Sequence, residues 1–397
     1  MKRLTILVLL LLTVTLPAIA GGVIRPGATL GPRATGMAGA HNAVASDGSA
    51  FYHNVAGLTQ VENSFVQLGA DLVLPRFEFE SLDYWKDKEK SEFSLFPMPL
   101  IAGATRLSDR LVVGAGLYPP YGLGVTYADG PYQESLLSSI NITLGLGWQL
   151  TDTLSVGIGG DIGYGQLIYN SSLHQIGDIV IDPLFMETEA DGMGLGYRLG
   201  VLWQPTERFS WGLSYSSPMK IRLKGDTDLS LFGFGLGNDD FNASITFPGR
   251  IGTGIAIRPT DKWLLAFDVN WYDHRKTDKI DFNFDFLPTI RQKMEWQNNW
   301  SVHLGTEYQV AENWRLRGGV AWMQAAVPKT TTNPIIPDGD GWCASLGVGW
   351  QKKNWSVDLA YLYAWADREV ERSFNYLAPG DYGAKVDVFS FGITYRF

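Results

Sequence analysis

Ile140-Asn141-Ile142-Thr143-Leu144-Gly145-Leu146-Gly147-Trp148-Gln149-Leu150 decides the fold. Apolar residues alternate with small or polar ones along its whole length, the period of a strand and not of a helix. The alternation continues in both directions. Leu154, Val156, Ile158, Ile162 and Tyr164 oppose Ser155, Gly157, Gly159 and Asp161. Met193, Leu195, Tyr197, Leu199, Val201 and Trp203 oppose Gly194, Gly196, Arg198 and Gly200. Further rows begin at Phe209, Ile251, Trp263, Trp300, Trp314, Trp342, Trp355 and Phe389, and less regular strands are predicted near 63–74, 93–107 and 111–127. The pattern predicts an all-β chain of about fourteen strands.

The connections alternate in length. Short ones are centred on Asp109, Asp152, Glu207, Asp261, Glu312 and Lys353; long ones lie near 81–91, 128–135, 168–190, 225–242, 273–293, 324–340 and 366–383. Six tight turns and seven long loops suit an antiparallel up-and-down barrel, with short turns on the periplasmic side and long loops outside. A soluble barrel would turn its apolar rows inward. Here the polar rows hold Gly, Asn, Asp and Arg, and the apolar rows begin and end in aromatics. Trp148, Trp203, Trp263, Trp314, Trp350 and Trp355 flank short turns, and Trp271, Trp322, Trp342 and Trp365 flank long loops. Two aromatic belts at the strand ends are what two membrane interfaces favour. The apolar rows therefore face lipid.

Residues 1–20 read as a secretory signal peptide: Lys2-Arg3, an apolar run from Leu4 to Leu16, and Ala18-Ile19-Ala20 as cleavage site. Its removal takes two positive charges from a net charge of −9, leaving −11. That balance argues against a nucleic-acid partner. A single cysteine, Cys343, excludes an internal disulfide framework and is expected to be a packing thiol.

Residues 21–60 have neither strand alternation nor a helical apolar face. They are rich in Gly, Ala and Ser, as in Arg33-Ala34-Thr35-Gly36-Met37-Ala38-Gly39-Ala40 and Ala45-Ser46-Asp47-Gly48-Ser49-Ala50-Phe51-Tyr52-His53-Asn54-Val55-Ala56-Gly57-Leu58. Small side chains let backbone pack against backbone, and the segment is expected to plug the barrel formed by 61–397. These residues, with the signal peptide, the strand count and the aromatic terminus Phe397, resemble the FadL-type long-chain fatty-acid transporters, a family that also imports aromatic hydrocarbons. Ala45, Asp47, Ser49, Asn54, Ala56 and Gly57-Leu58 fall on the family's hatch motif, and Val55 stands where the family has proline. The resemblance implies a 14-stranded barrel plugged by its own N-terminus. Hydrophobic substrate would be caught outside, pass an inner site and leave sideways beside a kinked third strand. Gly21, Asp47, Ser49, Asn54, Val55, Ala56 and Gly57 would form the hatch gate.

The residues offer parts for these steps. The loops at 168–190 and 225–242 carry Ile179, Ile181, Leu184 and Phe185, then Leu229, Leu231, Phe232 and Phe234, an unusual apolar load that marks a candidate capture groove. The third strand holds Tyr118-Pro119-Pro120-Tyr121-Gly122, and paired prolines interrupt a ladder. Leu111 to Tyr118 is too short to span, so the strand should resume near Leu123 after a break. His41, His53, His174, His274 and His303 form no catalytic triad or metal spacing; His303, Glu307, Arg315 and Arg317 are expected on one lumenal wall, bonded to the plug or water. The sequence thus points to a monomeric outer-membrane channel, not an enzyme, with no cofactor or metal. Its partners would be fatty acids or hydrocarbons and membrane lipid, with long-chain fatty acids the leading substrate. Aromatic hydrocarbon uptake and a general passive porin are the alternatives, the porin being separable by bilayer conductance.

Overall fold

Alternation in the sequence becomes one continuous antiparallel ladder in the computed structural model, which describes residues 30–82, 88–127, 132–176, 179–285, 288–373 and 378–397. The expected signal peptide and Gly21 lie outside the described residues. Fourteen strands form the wall: β1 (Phe65–Ser81), β2 (Phe96–Ser108), β3 (Leu111–Thr126), β4 (Tyr132–Gln149), β5 (Leu154–Ile176), β6 (Ile179–Thr206), β7 (Phe209–Ser216), β8 (Arg250–Thr260), β9 (Trp263–Tyr272), β10 (Asn299–Ala311), β11 (Trp314–Met323), β12 (Gly341–Lys352), β13 (Trp355–Val370) and β14 (Gly380–Arg396). Each pairs with its sequence neighbours, and β14 pairs back onto β1 from Phe65↔Arg396 to Ser81↔Gly380. Closure joins the first wall strand to the last, the condition for strands to cross lipid.

The two faces separate as the alternation requires. Leu144 is 60% exposed and Leu195 76% exposed, whereas Gly145, Gly147 and Thr143 between or beside such residues are buried. A soluble protein would not leave rows of leucine and tryptophan bare; a membrane covers them. Register gathers the tryptophans into belts. Trp322 pairs with Trp342 and Trp342 with Trp365 at one end, and Trp314 pairs with Trp350 at the other. From Trp314 to Trp322 is eight residues, which at about 3.3 Å each and a tilt of about 40° makes an apolar band of about 20 Å, close to the about 25 Å of outer-membrane barrels.

Two expected loops are strands. The segment 168–190 is the crown of one hairpin, since β5 and β6 stay paired up to Ile176↔Ile179. The segment 225–242 belongs to a second hairpin, Met219–Leu231 with Phe234–Phe247. Its first strand pairs with β6 from Leu184↔Leu231 to Met193↔Arg222, so the two regions form one sheet beyond the membrane band. A projecting segment must bond its own backbone groups, and β-branched runs such as Ile179-Val180-Ile181 do so readily as strand.

Assignment of the faces has a direct check. Leu144→Arg puts a guanidinium into lipid near mid-strand and should cost about 2–4 kcal/mol. The yield of heat-modifiable folded barrel, read as a gel-mobility shift, should fall. Assembly equal to the unmodified chain would mean that the apolar rows do not face lipid.

Candidate functional site

Residues 30–60 lie inside the barrel, toward the end with the short turns. They form two short helices, α1 (Pro32–Gly36) and α2 (Ala50–His53), and a 3-10 turn, Val55–Gln60. The glycines of the wall are what let this hatch sit there. A Cβ on Gly157 would lie 2.5 Å from the Ala56 amide nitrogen, and one on Gly36 would lie 3.2 Å from the Gly347 Cα. The polar rows of the sequence are thus partly a mould for the hatch backbone.

Wall side chains satisfy the polar groups that the hatch buries. Arg198 on β6 donates to the Tyr52 carbonyl at 3.1 Å, and Arg250 on β8 donates to the Tyr52 and His53 carbonyls at 3.0 and 2.6 Å. Arg198 is held by Asp161 at 2.8 Å, and both guanidiniums lie over the Tyr52 ring, at 5.4 and 4.8 Å. Asp268 on β9 accepts the His41 and Asn42 amides, each at 2.7 Å. Arg33 in α1 donates to Glu307 at 3.1 Å, and Glu307 also accepts from Arg317, which reaches Asp358 at 2.6 Å. His303 Nδ1 donates to the Ala38 carbonyl at 2.6 Å. Of the four lumenal residues expected from the sequence, His303 and Glu307 hold the hatch, Arg317 supports Glu307, and Arg315 bonds Gln351 instead. Arg198, Arg250, Asp161 and Asp268 were not singled out; their signal was a charge inside an otherwise Gly-rich polar row.

The hatch-motif residues have distinct tasks. Asn54 accepts the Ala56 amide at 3.1 Å and donates to the Asn42 and Val201 carbonyls at 2.9 and 3.0 Å. It therefore caps the turn that Val55, in place of proline, opens, and ties that turn to β6. Ser49 donates from its hydroxyl and its amide to Asp47, at 2.6 and 2.9 Å. Gly57 leaves no room for a side chain, since a Cβ would meet the Ala45 carbonyl oxygen at 2.0 Å. Ala56 is fully buried. Cys343 is also buried, packed with Ala38, Ala321 and Leu362.

Beyond the hatch, toward the hairpin end, the lumen is apolar. Leu167, Ile221, Phe241, Phe282, Trp296 and Ile335 belong to one buried cluster shared by the wall, the second hairpin and the connections that follow β9 and β11. On the other side of the hatch lies a basin of about 420 Å³ lined by charged and polar groups, among them Arg33, Asp47, Arg258, Glu307, Arg315 and Arg396. An apolar solute gains in the first region and not in the second.

The wall opens beside the apolar region. β2 and β3 pair up to Ile101↔Leu117 and no further within those strands. Beyond that point β2 stays bonded to β1, from Leu100↔Gly69 to Phe96↔Val73. β3 stays bonded to β4, with a bulge at Pro119-Pro120 after which pairing resumes at Tyr121↔Ser139, earlier than the expected Leu123. The break is therefore one-sided: a bulge toward β4 and a slot toward β2. An isolated bridge, Ser91↔Tyr127, bounds the slot above. Inside it, Tyr121, Gly122, Leu137, Ile245, Phe247 and Trp296 line a narrow apolar cleft. Tyr121 stacks on Phe247, with ring centroids 5.0 Å apart, and donates to the Pro248 carbonyl at 2.6 Å. The neighbouring Tyr118 is buried and donates to the Phe51 carbonyl at 3.2 Å, so the hatch touches the strand at its break.

The expected groove residues do not all converge. Leu229 is buried in the lumenal cluster, whereas Phe232 and Phe234 stand at the hairpin tip, 67% and 77% exposed. Phe185 and Leu231 are half-buried where β6 meets the hairpin. Ile179, Ile181 and Leu184 lie along β6, but their side chains are outside the described residues.

The hatch histidines make its docking pH-sensitive. Burial pulls His41 from 6.5 down to about 4; Asp47, 3.9 Å away, opposes this and Arg33 adds to it. Burial likewise holds His53 well below 6.5, reinforced by His41 and Arg250. An undocked, solvated hatch therefore binds more protons between pH 6.5 and 4 than a docked one, and docking weakens as pH falls through that window. For Asp47, burial disfavours the charge, but His41, Arg33 and Ser49 outweigh it and hold the carboxyl below its usual range, so its contribution is lost only at lower pH. Protection factors across 30–60, which are amide exchange rates corrected for the intrinsic pH dependence, should fall at pH 5 relative to pH 7.5 while those of β9–β12 stay constant. Equal protection of the hatch at both values would contradict neutral, docked histidines.

Comparison with known proteins fits this geometry. Residues 11–397 match the family described as outer membrane protein transport protein (OMPP1/FadL/TodX). A putative outer membrane protein of Neisseria meningitidis serogroup B is 26% identical over 391 residues, covering 83% of each chain. The long-chain fatty acid transport protein of Salmonella typhi is 24% identical over 300 residues, covering 67% of this chain and 69% of that one. Among solved structures, a Pseudomonas aeruginosa FadL homologue superposes with a TM-score of 0.84 at 20% identity, over 95% of this chain and all (100%) of that one. The Pseudomonas putida toluene transporter TodX gives 0.77 at 17% identity, with 95% and 100% covered.

Proposed function

The chain belongs to the OMPP1/FadL/TodX family of outer membrane transport proteins, and from that premise we propose that it takes up long-chain fatty acids and releases them through the β2–β3 slot into the bilayer. The family consists of channels that pass hydrophobic molecules across the outer membrane, and its members are not enzymes. One observation carries the finer reading: the apolar lumen ends at a slot in the wall, while the axis beyond the hatch ends in charge. A hydrocarbon chain entering lipid sideways never has to return to water.

In this reading capture occurs at the joined hairpins, where Ile179, Ile181, Leu184, Phe185, Leu229, Leu231, Phe232 and Phe234 lie along β6 and the second hairpin. The solute then descends into the cluster of Leu167, Phe241 and Trp296 and turns at Pro119-Pro120-Tyr121-Gly122. The hatch, pinned through Asp47, Ser49, Asn54, Val55, Ala56 and Gly57, closes the axis, and Tyr118 links it to the slot. A closed wall within one chain supports action as a monomer. Rings at Tyr169, Phe241, Phe282 and Phe284, with centroids 5.6–6.1 Å apart, favour a second reading, an aromatic hydrocarbon.

Gly122→Trp would fill the cleft between Leu137, Ile245 and Trp296. Uptake of labelled oleate into cells carrying the variant should drop several-fold with the folded barrel at its usual level. Unchanged uptake would remove the cleft from the path. Toluene competing with oleate better than unlabelled palmitate would favour the aromatic reading.

A further inference from the structure

The slot has two rims, and both carry proline. β2 reads Phe96-Pro97-Met98-Pro99-Leu100, with its prolines two residues apart. In a strand, successive residues turn their N–H and C=O to opposite neighbours. β2 pairs with β1 without a break from Phe96 to Ala104, and the Arg106 amide points to Ser64 Oγ beside β1. Even-numbered residues of β2 therefore face β1, and the odd ones, Pro97, Pro99 and Ile101, face β3. Ile101 pairs with Leu117, so Leu117 faces β2 in return. Pro119, two residues on, has the same facing.

Extending the register by two residues from Ile101↔Leu117 sets Pro99 opposite Pro119. That position would exchange two N–H···O=C bonds, and neither residue has an N–H. Both bonds of the next ladder step thus lack their hydrogen. Past the bulge the facing of β3 reverses, since Tyr121 pairs with Ser139 and so bonds toward β4, and the next β3-facing residue of β2, Pro97, has no N–H to offer. Pro120 belongs to the bulge toward β4 and plays no part in this count.

We propose that the slot is held open by this facing set, Pro97 and Pro99 on β2 against Pro119 on β3, with Pro99 and Pro119 as the decisive pair. These are positioning residues for the exit route. The inference about the slot rests on backbone pairing alone; its importance for transport rests on the lateral exit proposed above. Prolines on both rims make the opening a fixed part of the wall rather than a gap that substrate must force. Strand edges left bare invite pairing, and proline is what prevents it.

The test restores the donors. In Pro99→Val/Pro119→Val, assembled in lipid nanodiscs, the new amides at 99 and 119 should bond across the slot and be protected from deuterium exchange at least as well as Leu117. Pro120→Val, a control inside the bulge and outside the Pro99–Pro119 position, should leave exchange at Tyr121 and Leu100 unchanged. If the double variant assembles poorly, Pro99→Val alone should still give a protected amide at 99, bonded to the Pro119 carbonyl. Free exchange at 99 and 119 in a folded barrel, or closure of the slot by Pro120→Val, overturns the proposal. Protection together with a several-fold loss of oleate uptake supports both the proline lock and lateral exit. Protection with full uptake leaves the lock standing and removes lateral exit.

Discussion

Hiding an irregular segment inside a barrel is possible only if its amides and carbonyls find partners there. The rest of this structure follows from that constraint. The hatch has too little helix to bond itself, so the wall supplies Arg198, Arg250, Asp268, Glu307 and His303 at set heights. Where these buried groups are charged they have counter-charges, as Asp161 beside Arg198 and Arg317 beside Glu307. Breaking one partner of such a pair leaves an uncompensated charge, which is more damaging than never having built it. Glycine then sets the clearance. A hatch held this way fills the lumen on the axis, and the proposed passage therefore runs through the wall.

The wall meets that need by withholding hydrogen bonds at one place. Elsewhere among the described residues each wall strand stays paired with both neighbours through the membrane band, local bulges aside. Between β2 and β3 the ladder stops, next to the apolar cleft and next to Tyr118, which bonds the hatch. Three features with separate causes meet there: an apolar path, a donor-poor seam and a contact to the plug. Their coincidence gives the site its chemical character.

Much of this was legible in the residues. Fourteen strands, the lipid-facing rows and the tryptophan belts follow from period-two alternation, because lipid on one face and a filled lumen on the other leave every strand only one register. The small residues of 30–60 announced close backbone packing. The hairpin crowns were harder, since apolar residues mixed with Asp and Gly at 168–190 and 225–242 resemble loops until their cross-strand partners are known. The lumenal arginines were hidden because a single charge in a polar row looks the same whether it meets water or a buried carbonyl. Pro97 and Pro99 were in plain view, but their meaning depends on which way the odd residues of β2 face. Only pairing supplies that.

Closure of the ring joins Phe65 to Arg396, the first wall residue to the last. Contacts of such sequence separation are slow to form, because the whole intervening chain must be ordered before they repay their entropy. The hatch sits on the N-terminal side of this junction, and its backbone meets glycines of β5 to β7, β10 and β11 at distances no Cβ could tolerate. It cannot be pushed in once those strands have closed around an empty lumen without forcing backbone past backbone. The geometry therefore favours an order of assembly in which the N-terminal segment is already inside the curling sheet when the C-terminal strand closes it.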